Sequence, residues 1–145
     1  MIPIYIPHLN KKAKRYVTKC INTNWISSQG EYIRKFEKAL AKYHGVRYCI
    51  VTSGCTSALH LTLKSLNLGK GDEVICPDST FIAPANMIVL SGATLRLVDI
   101  DSETFTIDPK KIEQNINKKT KAIMVVHQFG HSADMDPIMK IARKY

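Results

Sequence analysis

A short turn in the first half of the chain has the residue types that bind a phosphate group. It is Ser-Gly-Cys-Thr-Ser at residues 53–57, between a β-branched run at 48–52 and a leucine-rich run. A strand, a turn and a helix in this order place free N–H groups and a positive helix end at the carboxyl edge of a sheet. Gly54 is predicted to permit a sharp turn, with the N–H groups of Thr56 and Ser57 and the Thr56 hydroxyl as donors. The alternative is that a hydroxyl of the turn only caps its own helix.

An aromatic residue follows the next apolar run of the chain. Residues 77–81 are Pro-Asp-Ser-Thr-Phe and come directly after a predicted strand at 73–76. From the residue types and their spacing alone, the favoured interpretation of Phe81 is an ordinary core residue.

Histidines and carboxylates late in the chain raise the question of a metal site. His127 comes directly after a predicted strand, where the loops of a parallel sheet build ligand sites. His131, Asp134 and Asp136 follow it closely and could complete a ligand set. However, Gln-Phe-Gly at 128–130 predicts a loop and not a helix that would align two imidazoles. We therefore expect no metal here, and we read the four cysteines, which lack paired spacing, as reduced thiols.

Alternating strand and helix patterns surround these residues. Strands are predicted at 48–52, 73–76, 95–99 and 122–126, and helices at 9–21, 32–43, 56–68, 83–90, 109–115 and 136–144. This rhythm predicts an α/β fold with a mainly parallel sheet and helices on both faces. The first two strands should be parallel neighbours or lie close together in one sheet. We divide the chain into an amino-terminal helix with an active-site loop at 1–30 and an incomplete α/β domain at 31–145.

Composition excludes several classes of protein. The 145 residues include 21 Lys+Arg and 12 Asp+Glu, which gives a formal net charge of +9. The lysines lack interleaved aromatics or a nucleic-acid motif, so we expect a solvated surface that attracts phosphate-bearing ligands, and no nucleic-acid partner. The longest apolar run, 122–126, is far shorter than the roughly 18 residues that span a bilayer. Residues 1–7 lack a secretory signal, so we expect a cytoplasmic protein without membrane attachment.

The order of several short motifs resembles that of the DegT/DnrJ/EryC1/StrS aminotransferase family. After the turn at 53–57, the motifs are Gly-Asp-Glu-Val-Ile-Cys-Pro at 71–77, Thr-Phe-Ile-Ala at 80–83, Val-Asp-Ile-Asp at 98–101 and Val-His at 126–127. Each motif alone is weak, whereas their order over essentially the whole chain is specific. The loop at 25–33 is most similar to the perosamine-forming branch of the family, whose members act on a GDP-linked 4-keto-6-deoxy sugar.

The resemblance implies a fold, a cofactor and a reaction. It implies part of the large domain of a fold-type I enzyme that uses pyridoxal 5'-phosphate (PLP). Such an enzyme transfers an amino group from glutamate to a nucleotide-linked keto sugar, for surface polysaccharide or glycan biosynthesis. A homodimer with sites at the subunit interface is also implied.

The resemblance also implies roles for individual residues. Phe81 is expected to stack on the pyridine ring, and His127 is expected to lie near the cofactor. Trp25 and Ser27 are expected near the substrate, although Trp25 could instead anchor its loop to the core. The implied cofactor-binding residues are Gly54, Cys55, Thr56, Ser57, Phe81 and His127. Two of the matched positions differ from common relatives: Cys55 often has a glycine counterpart, and Gln-Phe at 128–129 replaces a common Leu-Tyr.

No catalytic residue is assigned from the sequence. The resemblance places the PLP-binding lysine and the acid that pairs with the pyridine nitrogen beyond Tyr145. We therefore expect the 145-residue chain to lack transaminase activity by itself. One alternative is a catalytically incomplete remnant that acts only as a folded or interaction module. A general nucleotide-binding module is disfavoured because the sequence has neither G-x-G-x-x-G nor G-x-x-x-x-G-K-[ST].

Overall fold

The computed structural model describes residues 6–145. The chain separates into two compact units, one ending at Val51 and the other running from Thr52 to Tyr145. The expected lack of a secretory signal concerns residues 1–7, of which residues 1–5 lie outside the described part. The functional division at residues 30 and 31 stays a prediction.

The first unit contains two helices that the apolar spacing predicts. Helix α1 (Lys11–Asn22) begins where the Asn10 side chain accepts a hydrogen bond from the Ala13 N–H at 2.8 Å. Helix α2 (Glu31–His44) ends at Gly45, whose φ of 65° is a left-handed conformation that glycine adopts without strain. The ring of Tyr16 on α1 lies 4.7 Å from that of Tyr32 on α2. Both predicted helices are confirmed.

The predicted strand at residues 48–52 is wrong. The backbone there pairs with no strand among residues 6–145, and Tyr48 and Ile50 are 73% and 72% exposed. The Val51 N–H instead donates to the Glu37 carboxylate at 3.2 Å. The β-branched residues of this segment favour a strand, but a strand also needs a neighbour that completes its hydrogen-bond ladder. Its predicted pairing with the strand at 73–76 is therefore wrong as well.

The second unit alternates helices and strands. Its elements are α3 (Cys55–Ser65), β1 (Glu73–Pro77), α4 (Ile82–Ser91), β2 (Thr94–Val98), α5 (Pro109–Asn115), β3 (Thr120–Ile123) and α6 (Met135–Lys144). The three strands form one sheet in the order β2-β1-β3, and both pairings are parallel. In this register Val74 lies opposite Leu95 and Ala122. The prediction of a parallel α/β sheet is confirmed.

Local signals explain where the helices of this unit begin and end. Helix α5 begins at Pro109 behind Asp108, whose carboxylate accepts the Lys110 N–H at 2.8 Å. Helix α3 ends before the predicted residue 68 because Asn67 turns into a left-handed conformation with φ of 55°. The Leu68 N–H then donates to the Leu63 carbonyl at 3.3 Å and closes the end of the helix.

Strand β1 is the centre of two apolar cores on opposite faces of the sheet. Ile75 points into one core, and Val74 and Cys76 point into the other. The first core contains Val98, Ile107, Ile112, Ala133, Ile138 and Ile141, and the second contains Leu63, Leu68, Ile88 and Ala93. Helices α5 and α6 thus cover one face, and α3 and α4 cover the other. The predicted helices on both faces are confirmed.

None of the helices in residues 6–145 is both long enough and apolar enough to cross a bilayer.

Candidate functional site

The first turn of α3 presents backbone N–H groups that donate to no acceptor in the described part of the chain. The first hydrogen bond of this turn runs from the Ala58 N–H to the Gly54 carbonyl at 3.1 Å. The N–H groups of Cys55, Thr56 and Ser57 therefore have no partner within residues 6–145. The N-cap residue is Gly54, which has no side chain that could make a capping hydrogen bond. No hydroxyl caps this helix in the structure, so the alternative interpretation of the turn is wrong. The free N–H groups of the turn are accessible to an anion.

The backbone around Gly54 corrects one detail of the sequence interpretation. Its φ of 179° is an extended conformation that any residue can adopt, so no sharp turn requires glycine here. A Cβ added at Gly54 would meet no atom within 4 Å. The Thr52 hydroxyl donates to the Gly54 carbonyl at 2.8 Å, and the hydroxyls of Ser53 and Ser57 lie 3.2 Å apart. The whole turn at 53–57 is exposed.

The sheet orients this turn towards the carboxyl ends of the strands. A short connection, residues 66–72, joins the last turn of α3 to the start of β1. Leu63 on α3 packs in the same core as Val74 and Cys76 of β1. The C-terminal end of α3 therefore lies where β1 begins, and its first turn lies towards the opposite edge, where ligands of parallel sheets bind.

Phe81 stands at the N-cap position of α4, just beyond the carboxyl end of β1. Its side chain is 73% exposed and belongs to neither core, so the core alternative does not describe this residue. The preceding residue, Thr80, has a buried hydroxyl oxygen without a hydrogen-bond partner among the described residues. A buried hydroxyl without a partner costs free energy and marks a position where a ligand or water completes its bonding.

His127 follows β3 and begins a short 3-10 turn, Gln128–Gly130. Its Nδ1 accepts a hydrogen bond from the Ala133 N–H at 3.1 Å. Because Nδ1 is an acceptor, a neutral imidazole carries its proton on Nε2, which is then a donor. The predicted loop at 128–130 thus has a defined shape, in which Phe129 adopts a left-handed φ of 53°.

The pairing of β1 with β3 brings two predicted site residues to one edge. The strands are parallel neighbours, so the segments that follow them, with Phe81 and His127, leave the sheet at the same side. Together with the first turn of α3, they form the candidate site of this unit. Their roles towards a cofactor stay predictions.

Trp25 and Ser27 lie in the loop between α1 and α2, in the first unit. The backbone N–H of Trp25 donates to the Cys20 carbonyl at 3.0 Å, and the Trp25 side chain is 54% exposed. The Ser27 hydroxyl accepts the Gln29 N–H at 3.4 Å. The loop is therefore held by local hydrogen bonds, and the substrate-binding roles of both residues stay predictions.

Two polar atoms near the core were not singled out by the sequence interpretation. They are the Thr80 hydroxyl oxygen and Nε2 of His60, both buried and without a partner in the described chain. The residue types alone carry no such signal, because the lack of a partner depends on the packing around each atom. Residues 6–145 contain no group of three or more His, Cys, Asp or Glu side chains that could hold a metal ion.

Comparison with known proteins identifies the family. The model of the DegT/DnrJ/EryC1/StrS aminotransferase family matches residues 7–145. The chain belongs to this family. The resemblance that the collinear motifs indicate is thereby confirmed.

Relatives of this family member include GDP-perosamine synthases. The chain is 47% identical over 144 residues to the GDP-perosamine synthase of Caulobacter vibrioides, and 48% identical over 142 residues to that of Escherichia coli O157:H7. These matches cover 99% and 98% of the chain. The chain spans 39% of the length of each of these synthases.

The fold is also that of solved sugar aminotransferases. A structure described as a sugar aminotransferase, Spr1654 from Streptococcus pneumoniae, matches in its PMP form with a TM-score of 0.89 and 33% identity. The match covers 99% of this chain and 36% of that protein. The same protein in its PLP form matches with a TM-score of 0.85. The family and these structural neighbours are those of PLP-dependent aminotransferases.

The residues of the candidate site fit a phosphate-bearing aromatic cofactor. Three free N–H groups and several hydroxyls at the start of α3 suit a phosphate group, which carries only acceptor oxygens. The exposed ring of Phe81 offers a face for stacking, and Nε2 of His127 offers a donor. The donor set therefore agrees with PLP.

Proposed function

We propose that the complete protein transfers an amino group from glutamate to a nucleotide-linked keto sugar, with GDP-4-keto-6-deoxymannose as the substrate. The observation that carries the proposal is the open first turn of α3, in a chain 47% identical to a GDP-perosamine synthase. The reaction would serve surface polysaccharide or glycan biosynthesis in the cytoplasm, with a homodimer as the active form.

In this proposal the first turn of α3 binds the phosphate group of PLP. The N–H groups of Cys55, Thr56 and Ser57 donate to phosphate oxygens, and the positive end of the helix dipole adds about 0.3–2 kcal/mol. The Thr56 hydroxyl is a further donor. Cys55 causes no loss of donors, because the contacts come from the backbone.

Phe81 and His127 orient the rest of the cofactor. Phe81 stacks on the ring and excludes water from one of its faces. His127 donates through Nε2, because its Nδ1 is already occupied by the Ala133 N–H. When bound, PLP supplies an electron sink that allows an amino group to pass between an amino acid and a carbonyl carbon. Trp25 and Ser27 contact the sugar substrate.

The proposal is tested with the product of the complete reading frame. Glutamate, PLP and GDP-4-keto-6-deoxymannose should yield a GDP-linked amino sugar that mass spectrometry identifies. A dTDP-linked keto sugar serves as the matched control for the nucleotide. Turnover of only the dTDP sugar would overturn the choice of substrate, and the absence of turnover with any keto sugar would overturn the reaction.

A second candidate is a catalytically incomplete member of the family that acts as a folded or interaction module. The observation that favours it is that the phosphate-binding turn of α3 is formed by the local backbone and needs no catalytic lysine. Such a module would still bind phosphate at the start of α3. The two candidates differ in whether the cellular protein, isolated from its source, carries covalently bound PLP.

A further inference from the structure

Glu37 on α2 bonds the backbone instead of a neighbouring cation. Its carboxylate accepts the Val51 N–H at 3.2 Å, across 14 residues of sequence. Glu37 is half-buried and forms none of the ion pairs within residues 6–145, although its unit is rich in Lys and Arg. The carboxylate therefore holds one particular point of the chain and does not serve to balance charge.

Val51 lies just before the turn at 53–57 that presents the free N–H groups. The next residue is Thr52, whose hydroxyl donates to the Gly54 carbonyl at 2.8 Å. The same carbonyl accepts the Ala58 N–H at 3.1 Å, which is the first hydrogen bond of α3. The short segment from Val51 to Gly54 is thus held by one hydrogen bond at its beginning and by two at its end.

These hydrogen bonds set the direction of the peptide groups that lead into α3. The carbonyl and the N–H of a trans peptide point in opposite directions. Because the Gly54 carbonyl points towards the Thr52 hydroxyl, the Cys55 N–H points away from it. The bond from Glu37 fixes the peptide group at Val51 in the same way. The direction of the free donors therefore depends on bonds at both ends of this short segment.

We propose that Glu37 is a positioning residue for the cofactor phosphate. By holding the Val51 N–H, its carboxylate restricts the residues that lead into the turn and keeps the three free N–H groups in the arrangement that binds phosphate. Glu37 acts through the backbone and not by contact with the phosphate, which its negative charge would repel. The proposal rests on the phosphate-binding role that we propose for the first turn of α3.

The negative charge of Glu37 separates this role from a general electrostatic effect. Removal of a carboxylate makes the protein more positive, which by itself favours the binding of an anion. Glu37→Gln removes the charge but keeps an oxygen that can accept the Val51 N–H. Glu31→Ala is the matched control, because Glu31 is the other acidic residue of α2 and pairs with Lys19 and Lys35.

The experiment measures the affinity of the complete protein, freed of cofactor, for PLP and for inorganic phosphate. Equilibrium dialysis measures both ligands. Glu37→Ala should weaken the binding of both by about 2- to 30-fold, the range for residues that act on a site without touching its ligand. Glu37→Gln should stay within about twofold of the unmodified protein, because its amide oxygen replaces the acceptor. Glu31→Ala should bind at least as tightly as the unmodified protein.

Hydrogen exchange of the unliganded protein gives a second measurement that needs no ligand. Mass spectrometry of a peptide that covers residues 51–57 should show exchange at least about fivefold faster in Glu37→Ala. Exchange in Glu37→Gln and Glu31→Ala should not change. If Glu37→Ala does not fold, Glu37→Asp replaces it, since the shorter side chain keeps the charge but does not reach the Val51 N–H, and it should show the same two effects.

Two outcomes would overturn the proposal. One is a Glu37→Ala protein that is less stable in urea but binds PLP as tightly as the unmodified protein, because the hydrogen bond would then serve the fold alone. The other is equal weakening by Glu37→Ala and Glu37→Gln, which would assign the effect to the charge. If the unmodified protein binds neither ligand, the proposed phosphate site is wrong, and exchange at 51–57 alone decides whether Glu37 orders the turn.

Discussion

The imidazole Nδ1 of His127 accepts the Ala133 N–H at 3.1 Å, and this bond closes the loop between β3 and α6. Ala133 itself is 3% exposed and belongs to the core that α5 and α6 share. The side chain of His127 is exposed, so one nitrogen anchors the loop to the core while the other is available to a ligand. The loop geometry and the proposed donor role thus depend on the same tautomer.

The first prediction follows from this hydrogen bond. His127→Ala should lower the free energy of unfolding by about 1 kcal/mol, because the buried Ala133 N–H loses its acceptor. His127→Asn should recover part of this loss, since the amide oxygen can replace Nδ1. Urea denaturation measures both values, with His131→Ala as the control. Equal destabilisation by the Ala and Asn variants would contradict the role of Nδ1.

The second prediction concerns Phe81. Phe81→Ala should weaken PLP binding by roughly 2- to 10-fold, because ring stacking contributes about 0.5–1.5 kcal/mol. The free energy of unfolding should change by less than about 0.5 kcal/mol, since the side chain is exposed. Absorbance titration with PLP measures the binding, and Phe36→Ala, an exposed phenylalanine on α2, is the control. An unfolded Phe81 variant without a selective effect on PLP would favour a core role.

The third prediction uses Cys55 as a probe of the phosphate site. Its thiol is exposed at the first position of α3, so iodoacetamide should label it in the native protein. Inorganic phosphate should slow this reaction severalfold by occupying the adjacent N–H groups. Mass spectrometry follows the labelling, with Cys20 as the internal control and chloride at equal ionic strength as the salt control. If phosphate slows the labelling of both cysteines equally, it is not bound at the start of α3.

The fourth prediction concerns alkaline pH. Burial in the core raises the pKa of the Cys76 thiol from 9.0 to about 11. Stability from the neutral thiol is fully present below pH 9 and is lost as the pH rises, because the unfolded chain ionises first. The free energy of unfolding should fall by about 2 kcal/mol from this group between pH 9 and pH 11. Cys76→Ala, although less stable at neutral pH, should lack this part of the decline in urea denaturation.

The fifth prediction is that binding and chemistry separate in the 145-residue chain. Phosphate or PLP should bind weakly and reversibly near Thr56, because a helix terminus contributes only about 0.3–2 kcal/mol. ATP and NAD are the comparison ligands. With glutamate, PLP and GDP-4-keto-6-deoxymannose, the chain should form no amino sugar above the rate of free PLP. Two results would contradict this prediction. One is that borohydride fixes one PLP per chain at a single lysine, and the other is that this chain forms the amino sugar enzymatically.

Sequence patterns predict the elements of the second unit well because its signals are local. Helix α5 was expected at 109–115 and lies there, since Asp108 and Pro109 define its start. The strand at 48–52 was predicted incorrectly because its β-branched residues do not reveal whether a pairing partner is present. Strand β3 ends at Ile123 instead of 126 because ladder pairing with β1 ends there.

The sequence predicts which residues lie at the candidate site but not which hydrogen bonds they make. The turn at 53–57 and the places of Phe81 and His127 beyond two strands follow from the motif order. The conformation of Gly54, the hydrogen bond between His127 and Ala133 and the unpartnered Thr80 hydroxyl depend on the folded backbone and on the packing around each group. Periodicity and composition contain no information about such contacts.

The burial of residues 74–77 in strand β1 limits the substitutions that the protein can tolerate there. Its residues Val74, Ile75, Cys76 and Pro77 are all buried, and neighbouring strands bond it on both sides. None of these four side chains faces solvent, so a polar side chain in their place would find neither water nor a free backbone group as a hydrogen-bond partner. A library of random substitutions selected for folding should therefore retain almost no polar residues at 74–77, while tolerating many along the outer edge of β2.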